Sequence, residues 1–172
     1  YMNQISKQLS GIDNKLDILI SYHHDEKIAM LLTIKESLKC IAAKKYVDDV
    51  DIHEIRNLSK DARNVFNEYY LRLQRINPDE IINVKIRSFR TKKTFNELSE
   101  NIDKHEIDLS MQVCYYADFL SYQCGLAEIA LRMRLGDNDK MIINEKLEQI
   151  TESNKESFFI NIEEEIDRIY IP

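Results

Sequence analysis

Two of the chain's four histidines, His23 and His24, stand side by side in the stretch SYHHDEK, residues 21–27, followed directly by Asp25 and Glu26. Imidazole beside carboxylate is the donor set of a zinc or iron site. Neighbouring side chains on a helix diverge by about 100°, so His23 and His24 cannot both face one ion there, unlike the i, i+4 histidines of HExxH. Only a turn could make them converge, and His53 and His105 would then have to arrive from other helices. A small helical metalloprotein at residues 23–26 is therefore the weakest of three functional expectations, and no cofactor is implied.

The thiols offer no better constellation. Cys40, Cys114 and Cys124 form no CxxC pair and are odd in number, which suggests neither a zinc ribbon nor a closed disulfide framework. If Cys114 and Cys124 share one helix, their ten-residue spacing separates them by roughly 15 Å, beyond disulfide reach. A reducing, cytoplasmic setting follows as the expectation. The chain has no glycine-rich phosphate loop or GxSxG elbow, so the chain by itself reads as non-enzymatic.

The third chemical candidate is KIRSFRTKK, residues 85–93, where Lys85, Arg87, Arg90, Lys92 and Lys93 occur with no acid among them and Phe89 lies between the cations. Such a cluster can grip phosphates by counterion release, with the phenyl ring able to stack on a base. The plainer alternative is that these cations complement the negative end of a helix that begins near Asp79 and Glu80.

The elements that would position these groups are helical. Among 172 residues only three are glycine and two proline, too little turn chemistry for the hairpins of an all-β fold. The chain is 44% hydrophobic and 31% charged with a formal charge of -6. It is too apolar to be disordered and too acidic overall for a general nucleic-acid or membrane-surface binder. No apolar run reaches the ~18 residues of a membrane span. The opening on Tyr1 is read as that of a fragment of a longer protein.

From the N-terminus, Ile5, Leu9, Ile12, Leu16 and Leu19 fall at alternating steps of four and three, the heptad seam of a coiled coil. The apolar stripe then shifts by one residue to Leu31, Ile34, Leu38 and Ile41, so SYHHDEK reads as a structural joint. The spacing predicts a further helix capped by Asp51 and Glu54, with an apolar face from Ile55 to Ile76, and another that starts at Pro78. The alternation of Ile82, Val84 and Ile86 is strand-like, but a lone strand needs a partner. The most apolar segment, 109–135, predicts a central helix closed by Gly136. A helix through Ile143, Leu147 and Ile150 and a new start at Ser153 complete the chain.

The expected fold is all-α, a bundle of about five to seven helices over residues 28–172 with a coiled-coil-like arm over residues 1–22. The leading functional expectation is a non-enzymatic assembly or protein-interaction module. Its arm would pair with a second copy or with another helical protein, or else fold back as an ordinary bundle helix. A regulatory nucleic-acid or phosphate-binding domain using residues 85–93 is the principal alternative.

Overall fold

A computed structural model describes residues 2–11, 16, 26–77, 100, 106–136 and 140–157, the last seven of these as backbone alone. Among the described residues the chain is all-α, with five helices, α1 (Met2–Ser10), α2 (Glu26–Ala43), α3 (Asp49–Gln74), α4 (Ile107–Arg134) and α5 (Lys140–Ser157), and no strand. None is long and apolar enough to cross a membrane.

The N-cap of α3 falls three residues before the expected Asp51. Asp48 is the N-cap, its carboxylate accepting from the backbone N–H groups of Val50 and Asp51, and the Asp51 carboxylate returns to accept from the Asp48 N–H at 3.1 Å. The capping box is real, but Asp51 is its third residue and not its first, because Asp48 can satisfy the orphan donors one turn earlier. Lys44 from the preceding loop pairs with Asp51 and, through that hydrogen bond above all, holds its carboxyl below the ordinary value despite burial. From there Ile55, Leu58, Ala62, Val65, Phe66, Tyr69 and Leu73 form a buried stripe at steps of three and four, as their spacing requires.

Helix α4 is the hub, packing against α1, α2, α3 and α5. Val113, Ala117, Leu120, Cys124, Ala127 and Leu131 are all buried, matching the wide apolar face. Gly136 follows the helix with φ +85°, a left-handed conformation that glycine adopts without steric cost. Pairs at 56/128, 59/121 and 63/118 set α3 antiparallel to α4. On another side α5 comes so close that a Cβ at Gly125 would lie 2.8 Å from Ile150 Cδ1. Helix α5 runs unbroken to Ser157, so Ser153 stands inside it and starts nothing new.

Of the heptad seam, Ile5, Leu9 and Leu16 are buried in the same hydrophobic cluster as the stripes of α2, α3 and α4. Helix α1 packs on α2 and α4, and Gln123 Nε2 of α4 donates to Gln8 Oε1 of α1 at 2.8 Å. The described part of the seam is thus covered from within the chain, the folded-back arrangement. Ile12 and Leu19 lie outside the described residues.

Candidate functional site

Two turns of α3 place Arg56, Lys60 and Arg63 at i, i+4 and i+7, on one face beside the buried stripe. Opposite them α4 carries four polar residues within its apolar segment: Asp118, Ser121, Glu128 and, toward α1, Gln123, all buried. Burying an ionised carboxylate is costly unless it is paired, and both acids are paired. Arg63 Nη1 donates to Asp118 at 3.1 Å. Glu128 takes three cations: Arg56 Nε at 2.9 Å and Arg132 Nε at 3.1 Å on one oxygen, and Lys146 Nζ of α5 at 2.7 Å on the other. Burial by itself would raise the Glu128 pKa, but the hydrogen bonds from Lys146, Arg56 and Arg132 and the charge of Lys146 outweigh it and hold the carboxyl below its usual range.

Between α3, α4 and α5 lies a cleft of about 440 Å³, within the ~300–1,000 Å³ range of small-molecule sites. Arg56, Lys60, Arg63 and Lys146 line it, with Glu128 as the one acid among the described residues. Ser59, Asn64, Ser121, Tyr122 and Gln149 add hydroxyl and amide groups. The Ser59 and Ser121 hydroxyls are 3.3 Å apart, and Arg63 Nη2 donates to Ser121 Oγ at 3.4 Å. Lys60 is exposed and makes no hydrogen bond or ion pair among the described residues. A second cleft of about 370 Å³, between Met2 and Asn3 of α1 and the end of α4, has Arg134 as its one cation among the described residues, so charge singles out the first.

The cluster Lys85, Arg87, Arg90, Lys92 and Lys93 lies outside the described residues, as do His23, His24, Asp25 and His105; Glu26 opens α2, and His53 is exposed on α3. Among the described residues no three metal-ligating side chains converge. The buried thiols of Cys114 and Cys124 are each pushed up to about 12, chiefly by burial, which leaves almost no nucleophilic thiolate near neutral pH.

Spacing alone does not single out the cleft residues, although the sequence carries a signal for them. Asp118 and Glu128 are acids inside the most apolar segment of the chain, and acids in such a segment need cations from elsewhere in the fold. Comparison of the chain with protein-family models, with curated proteins and with solved structures gives no match.

Proposed function

We propose that the chain is a non-enzymatic helical recognition module whose cleft between α3, α4 and α5 holds an anionic ligand. The observation that carries this reading is the lining itself: among the described residues four cations stand against Glu128, which already serves three of the surrounding cations, and Asp118, which pairs with Arg63 from behind. A chain with a formal charge of -6 that gathers cations in one concave place has built a local attraction for anions. Binding suits this lining better than chemistry. A carboxylate held below its ordinary pKa by three cations is a poor proton acceptor, and no histidine stands among the described lining residues.

Thermal melting of the protein with a panel of small anions and neutral molecules of similar size tests the reading. A ligand at a hundred times its Kd adds ~2.7 kcal/mol, which for a chain of this length corresponds to roughly 5–11 °C. Anions should produce shifts of this kind, and added salt should shrink them. Neutral molecules that shift the melting temperature as far as anions do would sink the idea.

A second reading keeps helical assembly through Ile5, Leu9, Ile12, Leu16 and Leu19, now as exchange of α1 between two copies that reuses the same seam. It is supported by the thin polar tie of α1 to its surroundings: among the described residues the Gln123–Gln8 hydrogen bond is the one side-chain hydrogen bond that joins α1 to another helix.

A further inference from the structure

Resting on the anion-binding reading above, we infer that the ligand of the cleft is an organic diphosphate of the nucleoside diphosphate class. The first ground is length. Arg56 and Arg63 are seven residues apart on α3, roughly 10 Å along its axis, with Lys60 between them. A single carboxylate could meet one end of that row, whereas two linked phosphoryl groups can engage Lys60 together with a flanking arginine.

The second ground is charge. Arg56, Lys60, Arg63 and Lys146 face Glu128 and, behind Arg63, Asp118, and Arg132 adds a further cation on Glu128. Among the described residues the surplus is two to three positive charges, which a diphosphate matches. Arg56 bonds Glu128 through Nε, so its two terminal nitrogens make no hydrogen bond to a described residue and remain as a fork for phosphoryl oxygens.

The third ground is the far wall. Tyr122 and Ile150 are half-buried there, and between them Gly125 contributes no side chain. That surface offers an aromatic ring and an aliphatic side chain to a flat base, and the amides of Asn64 and Gln149 offer donors and acceptors to its edges or to a sugar.

Calorimetric titration of the full chain in low-salt, magnesium-free buffer tests this with ADP, pyrophosphate and citrate, the last a tricarboxylate of comparable charge. ADP should bind one per chain and more tightly than pyrophosphate, and citrate should bind at least about tenfold more weakly than ADP. Lys60→Glu, an exposed mid-helix change, should weaken ADP by about tenfold or more, while Lys45→Glu, in the exposed loop before α3, should leave it unchanged. Citrate binding as tightly as ADP would overturn the diphosphate inference and leave the anion reading standing. Pyrophosphate equal to ADP would overturn the nucleoside part. No heat of binding with any of the three would overturn both, and so would ADP affinity indifferent to Lys60→Glu.

Discussion

Leu9→Asp is expected to melt the whole domain at a much lower temperature, and not merely to release an arm. Leu9 is fully buried among residues of α2, α3 and α4. Truncation of such a leucine to alanine costs ~2–5 kcal/mol, or roughly 4–20 °C in a chain of this size. Aspartate adds the burial of a charge with no cation assigned to it, so its loss should exceed that of Leu9→Ala. Circular dichroism melts of wild type, Leu9→Ala and Leu9→Asp give the order, and sedimentation of the same samples gives the oligomeric state. A Leu9→Asp protein that melts like wild type but has lost a wild-type dimer would instead place the seam between two chains.

Removing Glu128 should have opposite effects on stability and on anion affinity. In Glu128→Ala, Arg56, Arg132 and Lys146 lose their common acceptor and repel one another. Breaking a buried ion pair by removal of one partner costs ~3–5 kcal/mol, and the lower end applies here because Arg56 is 43% exposed on its side chain. The freed cations should then bind pyrophosphate more tightly than wild type does, and the anion should restore part of the lost stability. The acid side of the stability curve carries the same signature. Because the folded-state pKa of Glu128 is depressed, its stabilisation is present above the unfolded carboxylate value near ~4.3. It is lost as pH falls through the lower folded value. Glu128→Gln should lack that component of the acid transition. A Glu128→Ala protein as stable as wild type, or one that binds anions more weakly, would contradict the described network.

The stripes of α3 and α4 and the turn at Gly136 were legible in the sequence because local backbone geometry and helical period decide them. The start of α3 was legible only as a type of signal, since Asp48 and Asp51 can each cap and the choice depends on which backbone donors the preceding loop leaves open. The heptad spacing of Ile5, Leu9 and Leu16 states that a narrow face must be covered, not what covers it. Pairing with α2 and α4 is a contact between distant parts of the chain and leaves no mark in the spacing. For the same reason Arg56 and Arg63 resemble ordinary surface cations until α4 brings Glu128 and Asp118 opposite them. Contiguous cations make phosphate chemistry legible at residues 85–93, while the cations of the cleft are gathered by the fold from α3 and α5.

The most direct measurement is a pyrophosphate titration followed by NMR on uniformly nitrogen-15-labelled protein at low salt. The Nε–H signals of Arg56 and Arg63 and the backbone amides from Ser121 to Gly125 should shift together, along one saturable curve. Shifts confined to residues 85–93, or spread evenly over the surface cations without saturation, would contradict the assignment of the cleft as the anion site.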